Sequence, residues 1–179
     1  MKINTDAKHT TEQIIYIMII KHHIICLLVA MALVTTTSVH GQYTFERTYD
    51  NGSEDIGTSV IALNNGYIMC GATYDDINDD YDVFVTRVDS EGDVLWTTIY
   101  SSIGIGDDYA NYINSFATNK FIICGNSFDP DFGDTDAFLL AIDGDGNELW
   151  QASYDGGFAG EDGANYVIED VGGDLLVAG

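Results

Sequence analysis

The feature that most limits what this chain can fold into is a repeat with a period of 54 residues. Trp96-Thr-Thr-Ile-Tyr100 returns as Trp150-Gln-Ala-Ser-Tyr154, and Phe45-Glu-Arg-Thr-Tyr49 is an earlier version of it. Asp108-Tyr-Ala-Asn-Tyr-Ile113 returns as Asp162-Gly-Ala-Asn-Tyr-Val167. Tyr67–Gly71, Phe121–Gly125 and Leu175–Gly179 are three versions of one apolar run ending in glycine, and Asp82–Asp89 matches Asp136–Asp143. Self-similarity at a fixed period means one supersecondary unit used several times, each copy covering its neighbour's apolar face.

Each period holds four strand-like runs. The first, Ser59 to Leu63, ends in Asn64-Asn65-Gly66, and Asn-Gly between apolar runs is a strong hairpin signal. Thr118-Asn119-Lys120 and Gly172-Gly173-Asp174 occupy the same place. The second run, residues 67–71, is apolar throughout. The third, Val83 to Val88, becomes Ala137 to Ile142 in the next repeat, where both sides are apolar. Continuous apolar strands predict a sheet buried on both faces. Asp89-Ser-Glu-Gly92 and Asp143-Gly-Asp-Gly146 then turn directly into the aromatic strand, so the fourth run folds back on the third. Gly/Asp-rich links (50–55, 101–108 and 155–162) lead to the next unit.

Four-stranded meanders covered on both faces and joined by longer links predict an all-β, β-propeller-like fold of antiparallel blades. The blades span about 56–100 and 109–154, with a partial one at 164–179 and an orphan fourth strand at 43–49. Residues 42–179 thus hold about two and a half repeats, and the chain is expected to be an incomplete propeller. The Trp/Phe-x3-Tyr pair is expected to pack within or between blades; a sugar-binding platform is the sharper alternative.

The order of these motifs resembles the tandem repeats of secreted bacterial β-propeller proteins: Trp-x3-Tyr, a Gly/Asp link, Asp-x-Ala-x-x-Ile/Val, a glycine-ended apolar strand, Asp-x-Phe-Leu, and Asp-x-x-Gly-Asn-x-x-Trp. The resemblance covers residues 43–179. It implies a Bacteroidota-like protein associated with type IX secretion, although the C-terminal sorting domain common in such proteins is not in this sequence. It implies no catalytic motif.

The first forty residues read differently. Ile24 to Val34 is an apolar run preceded by Lys21, His22 and His23 and followed by the small and polar stretch 35–41. That pattern predicts a signal peptide over residues 1–41, cleaved after Gly41, with Met18 as an alternative start that gives a normal short n-region. Eleven apolar residues fall short of the roughly 20 that a spanning helix needs, so a membrane-spanning protein is not expected. The expected location is extracellular, secreted or at the cell surface.

Removal of residues 1–41 takes away all four histidines (His9, His22, His23, His40) and leaves Arg47, Arg87 and Lys120 as the only basic residues. With a net charge of −23 for the whole chain, a nucleic-acid partner is not expected, nor an anionic membrane surface. Without a histidine, the Ser-His-Asp, Cys-His and histidine-zinc arrangements are ruled out for the mature chain. Cys70 and Cys124 stand in matching apolar contexts and are expected to be free and buried. Two acidic stretches, Asp75-Asp76-Ile-Asn-Asp79-Asp80-Tyr-Asp82 and Asp129-Pro-Asp131-Phe-Gly-Asp134-Thr-Asp136, could offer calcium several oxygens. Asp143-Gly-Asp145-Gly-Asn147 resembles the start of a calcium loop, but Glu148 and Tyr154 replace the glycine and glutamate that an EF-hand requires. Solvated turns are the preferred reading, calcium the alternative, and no catalytic or cofactor-binding residue is assigned. The expected function is a noncatalytic binding, structural or adhesive module with an unknown protein or glycan ligand. The alternative is the noncatalytic portion of a secreted carbohydrate-active enzyme.

Overall fold

The first repeat forms an antiparallel sheet in the order β1-β2-β3-β4: β1 Asp55–Leu63, β2 Gly66–Asp75, β3 Asp80–Val88 and β4 Val94–Tyr100. The second forms β5-β6-β7-β8: β5 Asp108–Ala117, β6 Lys120–Asp129, β7 Asp134–Asp143 and β8 Glu148–Tyr154. The third contributes an antiparallel pair, β9 Tyr166–Glu169 and β10 Leu175–Ala178. The structure is a computed structural model that describes residues 45–100, 106–157 and 160–179. Among these residues the chain is all-β, with no helix long and apolar enough to cross a membrane. The expected signal peptide lies outside the described residues.

Two expectations need correction. The orphan strand expected at 43–49 is not a strand over its described part, residues 45–49. The apolar runs also do not end at their glycines: β2 and β6 continue four residues past Gly71 and Gly125, and β3 and β7 begin at Asp80 and Asp134 to pair with them. These glycines serve a close approach instead. A Cβ on Gly71 would lie 1.9 Å from the Ile56 carbonyl oxygen and 2.8 Å from the Phe84 ring. On Gly125 it would lie 1.9 Å from the Tyr109 oxygen and 2.6 Å from Phe138. Each glycine pairs across the sheet with its phenylalanine, whose ring covers the bare backbone.

The first strand of each sheet carries a register shift, between Gly57 and Ser59 in β1 and between Ala110 and Tyr112 in β5. The extra residue in each bulge reaches the next sheet. Thr58 Oγ1 donates to the Ala110 carbonyl at 2.6 Å, and Asn111 Nδ2 donates to the Ala164 carbonyl at 3.1 Å. The two bonds span equivalent positions of successive repeats, so β1 and β5 are each tied to the repeat that follows.

Between the first and second sheets, Ile68, Cys70, Val83 and Val85 pack with Ile113, Phe121, Ile123, Phe138, Leu140 and Ile142. The opposite face of the second sheet presents Ile122, Cys124, Leu139 and Ala141 to Ala164 and Val167. The second sheet is therefore buried on both faces, as its unbroken apolar strands predict.

The repeated aromatics serve these junctions. Tyr100 Oη donates to the Gly146 carbonyl at 2.6 Å, and Trp96 Nε1 to the Gly144 carbonyl at 3.2 Å. One repeat earlier, Tyr49 Oη donates to the Gly92 carbonyl at 3.0 Å, and the Phe45 ring lies edge-on to Tyr67. The aromatic pair of one repeat thus seats on the β3–β4 or β7–β8 turn of the next. At the third position Trp150 and Tyr154 remain 38% and 54% exposed, whereas Tyr100 is 9% exposed.

Cys70 and Cys124 are free and buried, and burial pushes each thiol up to about 12. Only the thiolate alkylates, and an unfolded thiol titrates near 8.5. At pH 8 both cysteines should therefore alkylate about a thousandfold more slowly in the folded chain than in urea. Mass spectrometry at timed intervals checks this; equal rates in the two conditions would place the thiols at the surface.

Candidate functional site

The acidic stretches separate into two kinds of environment. Asp76, Ile77 and Asp131 are exposed at the tips of the β2–β3 and β6–β7 turns, as solvated turns should be. Asp80, Asp82 and Asp136 are strand residues and are buried. The sequence suggests one loop; the structure gives a tight turn between two long strands, with acids inside the pairing.

Each turn is built by its first aspartate. Asp75 Oδ1 accepts from Ile77 N at 2.8 Å, and its carbonyl accepts from Asp79 N at 2.9 Å. Asp129 repeats this with Asp131 N at 2.7 Å and Gly133 N at 2.8 Å. Such Asx turns bring the strands together with few residues. Asp143 does the same at the β7–β8 turn: its Oδ1 accepts from Asp145 N and Asn147 N, both at 2.9 Å. The Asn147 side chain, and then backbone amides, hold the Asp143 carboxyl below its usual range. The calcium-like sequence there therefore closes its own turn.

The links contribute residues that sequence reading did not assign. Gly106 N donates to Asp80 Oδ2 at 2.9 Å, and Gly160 N donates to Asp134 Oδ2 at 2.8 Å, the same bond one repeat later. Tyr81 N donates to Asp107 Oδ1 at 3.1 Å. Gly106, Asp107 and Gly160 thus hold the described ends of the links against the β2–β3 or β6–β7 end of the sheet before them. In the first repeat, carboxylate oxygens of Asp75, Asp80 and Asp82 lie within 4.8 Å of one another. In the second, the group so gathered is Asp136 with Asp155 and Asp162 from the following link. The recurrence of Asp108 as Asp162 was the available signal for that contribution; nothing in the local pattern marked Asp155.

Burial, followed by the charges of Asp129, Asp155, Asp134 and Asp162, raises the Asp136 carboxyl above its usual range. A cavity of ≈ 240 Å³ opens beside it, lined in part by Ser127, Asp129, Asp131 and Ser153. A second, apolar cleft of ≈ 370 Å³ lies between Phe138, Trp150, Tyr154, Leu175 and Val177, beside the third copy of the aromatic pair.

Tyr74, Tyr81 and Tyr109 form an aromatic row across the first junction, with ring centroids 5.2 Å apart at each step. All three are half-buried and spend much of their ring surface on one another. A scan against protein-family models gives no match, and a search of curated proteins finds none similar.

Proposed function

We propose that these sheets are successive blades of a β-propeller-type module that is exported from a bacterial cell and serves there as a noncatalytic binding, structural or adhesive element. The observation that carries this reading is the repeated junction. The bulge residues Thr58 and Asn111 bond the repeat that follows, at Ala110 and Ala164, and the aromatic pairs Phe45/Tyr49 and Trp96/Tyr100 seat on the next turn. Neighbouring first strands, with each fourth strand at the edge of its sheet, support the reading of blades arranged about an axis. A fold spent on identical junctions leaves its variable turns and links for contacts with a partner.

The composition narrows that partner. A chain with net charge −23 repels nucleic acid and anionic lipid, so a protein surface or a neutral or basic glycan fits best. Expression of the full chain in a Gram-negative host tests the export half of the reading. N-terminal sequencing should find Gln42 at the start of a protein recovered outside the cytoplasm. An uncleaved chain confined to the cytoplasm would overturn it. A panel of insoluble polysaccharides tests the other half: retention without release of reducing ends is expected, and release would assign an enzyme.

A further inference from the structure

We propose that Asp75, Asp80 and Asp82, at the β2–β3 end of the first sheet, form a divalent-cation site whose chemistry suits calcium. Asp75 and Asp80 are direct cross-strand partners, and Asp82 lies two residues further along β3, so the pleat places all three on one face. Their oxygens lie within 4.8 Å of one another. Ligand oxygens on opposite sides of a calcium ion are at most about 5 Å apart, twice a bond of 2.3–2.6 Å, so the three carboxylates can share one ion. Three carboxylates make a hard, all-oxygen donor set with no nitrogen or sulfur to favour a transition metal.

A second observation points to a ligand. Asp80 is 4% exposed, and its Oδ1 has no hydrogen-bond partner among the described residues, while Oδ2 is held by Gly106 N. A buried carboxylate oxygen without a donor is unfavourable, and native structures nearly always supply one or bind an ion. No basic side chain is among the three residues, and the only three basic residues after position 41 are Arg47, Arg87 and Lys120. Arg87 is engaged with Asn65 and Gly144, at the turn end occupied by residue 65, whereas Asp75 and Asp80 pair at the other end of β2. A divalent cation shared with Asp75 and Asp82 would satisfy Asp80 Oδ1. The equivalent residue in the second sheet, Asp134, is only half-buried, so the inference is confined to the first sheet.

Terbium, a calcium surrogate excited through nearby tyrosine, reads this site, because Tyr74 and Tyr81 are the cross-strand pair next to Asp75 and Asp80. The full chain is stripped with chelator and titrated with terbium, and the emission is then competed with calcium or with the same concentration of magnesium. Sensitised emission should appear, and calcium should displace it far more effectively than magnesium. Asp80→Asn should weaken terbium and calcium binding about tenfold or more, since affinity follows ligand charge. Asp82→Asn should act in the same direction and decides the matter if Asp80→Asn does not fold. Glu148→Gln, exposed at the start of β8, should leave the signal intact. Unchanged binding in a folded Asp80→Asn or Asp82→Asn chain, equal competition by magnesium, or no sensitised emission would each overturn the assignment.

Discussion

Gly125→Ala is expected to destabilise the chain by about 3 kcal/mol or more, because the methyl group has nowhere to go. Its Cβ would sit 1.9 Å from the Tyr109 carbonyl oxygen, which is backbone, and 2.6 Å from the Phe138 ring. Phe138 is itself packed between the two sheets with Ile123, Leu140 and Ile142, so the ring cannot swing aside without opening the core. Relief by moving Tyr109 would break the pairing of β5 with β6 next to the bulge that ties β5 to the third repeat. Two other glycines separate this steric effect from general glycine effects. Gly133→Ala meets no atom within 4 Å but must hold a φ of 75°, which should cost about 1 kcal/mol. Gly57→Ala meets nothing and needs no positive φ, so it should change stability by no more than about 0.5 kcal/mol. Urea denaturation midpoints of the three variants give the order directly. If Gly125→Ala unfolds at the same urea concentration as Gly57→Ala, the close approach of backbone and ring does not exist.

Gly125 also shows how far the sequence could be read. Its recurrence with Gly71 and Gly179 located the second strand of each repeat, but a glycine closing an apolar run looks like a strand end. The reason for it lies on the neighbouring strands, in Tyr109 and Phe138, and a reading along the chain does not see across a sheet. The four-stranded meanders and the doubly buried second sheet were legible, because period and unbroken apolar runs report burial directly. The segment at 45–49 was misread as a strand: its aromatic spacing matches β4 and β8, and Phe45 and Tyr49 do make the matching contacts, yet strand pairing needs a partner that spacing alone does not supply. The acidic stretches were legible as turns at Asp75 and Asp129, where the side chain bonds the backbone two residues on. The burial of Asp80, Asp82 and Asp136 was not, because it depends on links folding back from the next repeat.

The folded chain is expected to self-associate rather than remain a dispersed monomer. At one end, Val60 and Ile99, on the face of the first sheet turned away from the second, are 59% and 49% exposed, beside Val94 and Leu95 at 53% each. At the other end, Trp150, Tyr154, Leu176 and Val177 surround the apolar cleft and are 38–54% exposed. At the two earlier junctions the same aromatic positions are covered by a turn of the next repeat, which shows that this aromatic surface suits apolar contact. β10 adds a strand edge of Leu175 to Ala178 with no charged residue among its four, and such edges pair readily with other chains. The large negative charge opposes association at low salt, but screening over roughly 8–10 Å at physiological ionic strength weakens that repulsion while leaving apolar contact intact. Light scattering across a concentration series should therefore show assembly that increases with salt, together with binding of a hydrophobic dye. Val177→Lys places a charge on the edge strand and should shift the distribution toward monomer, as should Trp150→Ser in the cleft. Variants that associate as strongly as the parent would assign assembly to another surface. A compact, dye-silent monomer of the parent chain at all salt concentrations would contradict the blade reading itself.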